Sequence, residues 1–454
     1  MLKPSTPALD VSDIQATVLR PRPSPYVGEY VVLRIDDAAQ GREMLRRIIP
    51  HVAPADEWWV PSLPGWLGIA FTYQGLKALG LPQASLDSFP IEFRQGMAAR
   101  AAILHDFGGN APSNWEYPFG NSEMHVALAV YSDNEQHLGE VLERARQSHH
   151  DLAHVSVVYR MRFNELPGGR NPFGFRDGLH NPHVEGSVAE EHIALVATAS
   201  EPPIKAGEFV MGYPDELGQI VQAPIPEELR HNGTFVAFRK FQMDVAAFRN
   251  YLRTQAASPE EEELLAAKMI GRWRSGAPLA LAPEHDDPTL GGDTNRNNDF
   301  GYADDMKGLK CPFSAHIRRI NPRDALKDDV VDVNLHKFLR RGTNYGSALP
   351  EGVLEDDGAE RGGVFLLIGA HLQRQFEFVQ SQWATDGNFI SHGTEQDPVI
   401  GNNDGEGVFT IPKVPVRRRL HGLPSFVSVR GGEYCFMPGL RALQWIARLG
   451  DDTG

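Results

Sequence analysis

Three short segments of the 454-residue chain hold residue types able to do redox or proton-transfer chemistry. In CPFSAHIRRINPR, residues 311–323, His316 stands beside Arg318, Arg319 and Arg323 and just before Asn321-Pro322, which ends helices. A neutral imidazole is the standard axial ligand of haem iron in peroxidases, and arginine pairs a propionate carboxylate bidentately. In GFRDG, residues 174–178, two glycines bracket Asp177, which suits a tight loop projecting a carboxylate into a cavity. In FLRRGTNYG, residues 338–346, Arg340 and Arg341 follow two apolar residues, so one guanidinium can turn inward and the other outward. Each motif alone has an ordinary reading: one of seventeen histidines, a turn of the kind Gly, Asp, Asn and Pro favour, a surface basic doublet.

The elements around them alternate strand and helix. Residues 30–35 read as a strand, followed by a helix with Met44, Leu45, Ile48, Ile49 and Val52 on one face. A strand over 68–73, a short helix at 75–79, a strand over 124–131, a helix burying Leu138, Val141, Leu142 and Ala145, and a strand over 154–159 complete one α+β unit. The recipe repeats with a strand at 234–241, helices at 245–252 and 260–273, an unbroken apolar strand at 363–370 and a helix at 372–383. A closing hairpin, 426–429 with 434–437, and a helix over 440–449 end the chain. Between these lie long stretches rich in Gly, Pro, Asn and Asp at 165–225, 275–315 and 384–415, lengths that in compact proteins usually serve function.

Bulk properties narrow the classes. The length predicts two domains. The formal net charge is −15 and no Lys/Arg cluster tracks a phosphate backbone, so nucleic acid is not expected as a partner. The two cysteines, Cys311 and Cys435, form no CxxC, no covalent haem-attachment CxxCH and no zinc spacing, and they suit free thiols in a reducing compartment. The acidic stretch 285–305 lacks the regular ligand spacing and closing Glu of an EF-hand. The first residues carry neither a basic region followed by an apolar one nor a twin arginine, and no run of eighteen apolar residues occurs, so the expectation is a cytoplasmic protein without a membrane span.

Taken together and in order, the motifs resemble the dye-decolorizing peroxidases over nearly the whole chain. Asp13-Ile14-Gln15 is similar to the family's opening, and GFRDG matches its Gly-x-x-Asp-Gly signature in full. GEFVMGYPDE (207–216) resembles the segment after that signature, residues 311–323 the proximal-histidine segment, 338–346 the distal-arginine segment, and 361–383 the strand and helix beside the haem. The resemblance implies an α+β fold of two ferredoxin-like domains, in a dimeric α/β-barrel-like arrangement with long functional loops. It assigns 1–222 to the domain with the distal loop and 223–454 to the haem-binding domain. It implies non-covalent haem b with His316 as metal ligand, Asp177 as distal acid/base and Arg340 as the distal arginine, also against the cofactor, with Arg341 as the alternative register. Arg323 falls at a propionate partner, Asp397 of Asp397-Pro398-Val399-Ile400-Gly401 at the carboxylate hydrogen-bonding the proximal histidine, and Phe175 and Gly178 beside the cofactor. Gly342 stands where some members carry Asn, so no role transfers there.

The implied reaction reduces hydrogen peroxide through an oxoferryl intermediate and oxidises dyes, phenols or similar one-electron donors. An aspartate shuttle predicts an acidic optimum, and bulky donors predict electron transfer through surface aromatics, for which Trp383, Tyr345 and Trp273 are candidates, although the ordinary reading of each is a core aromatic. A homo-oligomer is compatible with the sequence. The rival reading is a haem carrier or iron-handling protein on the same scaffold with little turnover. Asp177 and Arg340 argue against it, because a carrier needs the ligand alone, and chlorite-dismutase-like relatives lack the Gly-x-x-Asp-Gly loop.

Overall fold

The structure, a computed structural model, describes residues 9–56, 63–188, 202–326, 332–389 and 393–451. The β-branched run Val31-Val32 packs well on a pleated surface and lies within β1 (Val27–Ile35). Helix α1 (Ala38–Ile48) follows. Asp37 caps it by accepting from Gln40 N, and it buries Met44, Leu45 and Ile48. Next come β2 (Gly65–Phe71), β3 (Val126–Ser132), α2 (Glu135–Gln147), capped by Asn134, and β4 (Val155–Asn164). The second half runs β5 (Thr234–Met243), α3 (Val245–Gln255), α4 (Pro259–Ile270), the short α5 (His316–Ile320), β6 (Leu339–Tyr345) and β7 (Gly362–Gly369). The small hairpin β8 (Gly407–Ile411) and β9 (Arg418–Leu423), then β10 (Val427–Met437) and α6 (Leu440–Ala447), end it.

The strand order is β4-β1-β3-β2 in the first half and β10-β5-β7-β6 in the second, with antiparallel neighbours throughout. One pairing, Phe71 with Phe436, joins the halves into an eight-stranded sheet. Counted within each half, both orders read fourth-first-third-second, the ferredoxin-like arrangement, in agreement with the expected α+β class. Helices α1 and α2 cover one face of the first half. The opposite face meets the second half: the Tyr30 ring lies edge-on 5.4 Å from Phe238, and its hydroxyl shares a 3.1 Å hydrogen bond with Thr343 Oγ1. Cys311 and Cys435 are both buried free thiols.

A buried ion pair crosses between the halves. Arg239 on β5 is fully buried, and its Nη1 donates to Asp106 Oδ2 at 2.7 Å. Asp106→Ala would strand that charge away from water, so a loss of about 3–5 kcal/mol is expected, read as a lower urea midpoint. An unchanged midpoint would show that the pair contributes nothing net.

Four sequence expectations shift. The strand expected at 68–73 ends at Phe71, because the Thr72 hydroxyl accepts from Gly75 N and caps a helix over Tyr73–Ala78. The expected closing hairpin is one continuous strand, β10, with a bulge between Val429 and Gly431. Gly431 and Gly432 are not a turn; a Cβ there would collide with Phe119 and Met97 respectively. The helix expected at 372–383 is instead two successive π-type turns, Gln373–Glu377 and Val379–Ala384, in which Glu377 N donates to Leu372 O. Such wide turns gather at functional sites, and Phe376, Val379 and Gln380 here line the main cavity. Residues 338–346, treated in the sequence only as a motif, contain strand β6.

Candidate active site

A cavity of about 280 Å³ opens against one face of β5, β6 and β7 and is roofed by the long loops. Alternation along β6 decides which residues reach it. Arg340 and Gly342 line the cavity, whereas Arg341 points to the other face, where it is buried and donates to Thr17 O and Val18 O. The arginine doublet is thereby split, and Arg340 is the member turned to the cavity.

His316, first residue of α5, lines the same cavity. Its Nδ1 lies 2.8 Å from Asp397 Oδ2, and the Asp397 side chain is fully buried while His316 is 28% exposed. Asp397 is itself fixed: Oδ1 accepts from Val399 N at 2.8 Å and Ile400 N at 3.0 Å. Burial works against the Asp397 charge, but the His316 ring and those two N–H groups outweigh it and hold the carboxyl below the usual aspartate range. A carboxylate so placed accepts a hydrogen bond from Nδ1–H, which keeps the proton there and leaves the Nε2 lone pair as the ring's donor.

Asp177 enters the cavity from the GFRDG loop. Both glycines of the motif adopt left-handed backbone, φ +90° at Gly174 and +72° at Gly178, which explains their type. Each is also packed by an arginine: a Cβ would stand 2.8 Å from Arg274 Nη1 at Gly174 and 3.1 Å from Arg22 Nη2 at Gly178. The Asp177 carboxylate accepts from Gly178 N at 2.8 Å and from Arg22 Nη2 at 2.7 Å. The same loop holds Arg340, whose Nη2 donates to His180 O and whose backbone N donates to Asn181 Oδ1, both at 2.7 Å. Phe175 lines the cavity beneath the Arg274 guanidinium, and Gly178 lines it beside Asp177.

The donor set fits a flat, largely apolar dianion that needs one axial nitrogen. The walls include Phe175, Phe241, Phe300, Phe338, Phe365 and Phe376. Arg22, Arg176, Arg272, Arg323 and Arg340 also line it, against the single carboxylate of Asp177. The crowding has a cost: burial, together with the like charges of Arg323 and Arg340, pushes Arg272 down to about 10. Arg323 donates from Nη1 to Asn298 O and Phe300 O and lies 3.9 Å over the Phe300 ring. A haem, with one ligand position at His316 and two propionates among arginines, suits these residues.

One sequence expectation fails here. Arg318 and Arg319, read as cations available to propionates, are fully buried away from the cavity. Arg318 pairs with Asp305 at 3.0 Å, and Arg319 donates to the carbonyls of Trp383, Glu395 and Asp386. They brace the His316 segment instead. Trp383, Tyr345 and Trp273, the relay candidates, are 3%, 6% and 6% exposed, which makes them core aromatics as their ordinary reading has it; Trp273 lines the cavity, and the Tyr345 hydroxyl donates to Phe241 O. Sequence reasoning missed Arg22 and Arg272, since nothing in their local context marks them, and passed over Arg176 inside the GFRDG motif because attention went to Asp177 beside it.

The family model for the DyP dimeric alpha+beta barrel domain matches residues 13–164. A curated relative, the dye-decolorizing peroxidase msp1 of Mycetinis scorodonius, is 31% identical over 407 residues, covering 84% of this chain and 76% of its own. Among solved structures, an ancestral D-type dye-decolorizing peroxidase superposes with a TM-score of 0.85 at 29% identity, covering 96% of this chain and 99% of that one. A dye-decolorizing peroxidase in complex with 2,6-dimethoxyphenol superposes with a TM-score of 0.84 at 28% identity, covering 97% and 100%.

Proposed function

The chain belongs to the dye-decolorizing peroxidase family, and from that premise we propose a haem b peroxidase in which His316 ligates the iron, Asp177 moves the peroxide proton and Arg340 stabilises developing negative charge. Members of the family are haem enzymes. When bound, the haem would supply an iron centre that takes up peroxide and accepts the oxidising equivalents released as its O–O bond breaks. His316 would hold it through Nε2, with Asp397 keeping the proton on Nδ1 and raising the basicity of the ligand. Arg323, with Arg272 close by, would pair the propionates, and Phe175 and Gly178 would line the space of the ring.

Asp177 accepts the proton of the incoming peroxide at a carboxylate oxygen and returns it to the departing oxygen, which leaves as water. Arg340 brings a fixed positive charge to the oxygen that gains negative charge, and its bonds to His180 and Asn181 set its position relative to Asp177. One-electron donors such as phenols or dyes complete the cycle; 2,6-dimethoxyphenol occupies a solved relative. The division into 1–222, with the distal loop, and 223–454, with the axial ligand, is supported by the two repeats of the strand order.

The observation that carries this reading is the convergence on one apolar cavity of the hydrogen-bonded His316–Asp397 pair and of Asp177 with Arg340. Its test is the haem-loaded protein, which is expected to show a Soret band that shifts on peroxide addition and to oxidise 2,6-dimethoxyphenol at the expense of peroxide. A stable haem complex without peroxide-dependent oxidation would favour the carrier instead. Asp397→Asn removes the charge behind the ligand while keeping its shape. Haem affinity is expected to drop about 10–100-fold, measured by transfer of haem to an excess of apomyoglobin, and transfer at the wild-type rate would dissociate Asp397 from ligand tuning.

A further inference from the structure

Arg22 touches the distal site without belonging to any motif in it. It lies in the segment before β1, and its side chain is largely buried, at 18% exposure. Its Nη2 donates to Asp177 Oδ2 at 2.7 Å, and its Nη1 donates to the carbonyl of Gly342 on β6. Tyr26 supports the guanidinium from below, with the arginine carbon 4.6 Å from the ring centroid, and the Tyr26 hydroxyl accepts from Asn344 N on the same strand. One planar cation thus links the loop carrying Asp177 to the strand carrying Arg340. Gly178 is cut to fit it, as its Cβ would crowd Nη2.

We propose that Arg22 is the positioning residue of the distal acid: it fixes the Asp177 carboxylate against β6 and, through its charge, favours the form of it that accepts a proton. This rests on the role given to Asp177 above. Asp177 Oδ1 already accepts from Gly178 N, so Arg22 takes the other oxygen and a proton arriving there must share it with a cation. Burial opposes the Arg22 charge, but Asp177 outweighs it and holds the guanidinium above the ordinary arginine range. The other charged or titratable groups around the carboxylate are Tyr26 from the segment of Arg22, Arg176 and His180 from its own loop, and Arg340 from β6. Arg176 Nη1 is bonded to Gly291 O, and Arg340 to His180 O. Among the described residues, Arg22 is the cation bonded to the carboxylate itself.

An adjacent cation favours the ionised carboxylate. Removing it is expected to move the acid limb of the peroxide reaction upward. The test uses the haem-loaded enzyme as wild type, Arg22→Met, Arg22→Lys and Asp177→Asn, with haem content, kcat/KM for peroxide and its pH profile measured for each. Arg22→Met is expected to keep its haem, to lose roughly 10–100-fold in kcat/KM, and to shift its acid limb up by about one pH unit; Arg22→Lys is expected to recover most of the rate and the wild-type limb. In the Asp177→Asn background, Arg22→Met should change nothing further. An Arg22→Met enzyme with the wild-type limb overturns the inference, whether its rate is normal or merely reduced. If Asp177→Asn is itself as active as wild type, the assignment of Asp177 fails and not only that of Arg22.

Discussion

His316→Ala is expected to purify almost free of haem and, when haem is supplied, to give a spectrum without the wild-type axial ligation. The cavity would still offer its phenylalanine walls and arginines, so weak, non-specific uptake is compatible with this outcome; the ligand-sensitive bands are the decisive readout. The loss should exceed the roughly 10–100-fold attached to an outer partner, because the substitution removes the donor atom itself and leaves Asp397 buried without the ring that offsets its burial. That second cost predicts a fall in the stability of the apoprotein as well, of order 1–3 kcal/mol for an orphaned buried acceptor, read as a lower denaturation midpoint without haem. Added imidazole is expected to occupy the vacated space, bond to Asp397 and restore an axially ligated spectrum. A His316→Ala protein that keeps haem with unaltered ligation would remove the foundation of the proposed site.

The parts of this site that were legible in the sequence are those whose chemistry is local. The GFRDG loop announces itself because two left-handed positions demand glycine at fixed offsets from Asp177, and the Asn321-Pro322 stop correctly bounds the helix that begins at His316. Partnerships made by folding left no such mark. His316 and Asp397 are 81 residues apart and Arg22 and Asp177 are 155 apart, so the first pair came only from family resemblance and the second not at all. Arg318 and Arg319 misled because a cation next to a ligand looks available until its acceptors, Asp305 and three carbonyls, are seen. Strand β6 was hidden by its composition. Gly and Asn are depleted in strands and a pair of arginines suggests a surface, but here one face turns to the cavity and the other to buried partners such as Tyr30 and the carbonyl of Val18. Gly431-Gly432 failed for the opposite reason: glycine reads as a turn when no neighbour is known, and only the rings and sulfur packed on it reveal a close approach.

The second large effect belongs to Asp177, where the choice of substitution determines what is learned. Asn keeps the shape and one oxygen, which can accept from Arg22 Nη2 or from Gly178 N but not from both, while the bonds of His180 and Asn181 that place Arg340 do not involve the substituted side chain. What is lost is the capacity to take and return a proton. Asp177→Asn is therefore expected to bind haem as the wild type does and to react with peroxide about 10²–10⁴-fold more slowly, measured by stopped-flow absorption with peroxide limiting. Its rate should also lose the decline toward acid that protonation of a working carboxylate imposes. Asp177→Ala goes further, since it leaves the Arg22 charge without its carboxylate, and a drop in stability should accompany the same kinetic defect. The comparison separates proton transfer from placement: equal rates in the two variants, both far below wild type, assign the whole effect to the proton. Wild-type rates in both would instead hand the proton to water held by Arg340, leaving Asp177 only as the anchor for Arg22.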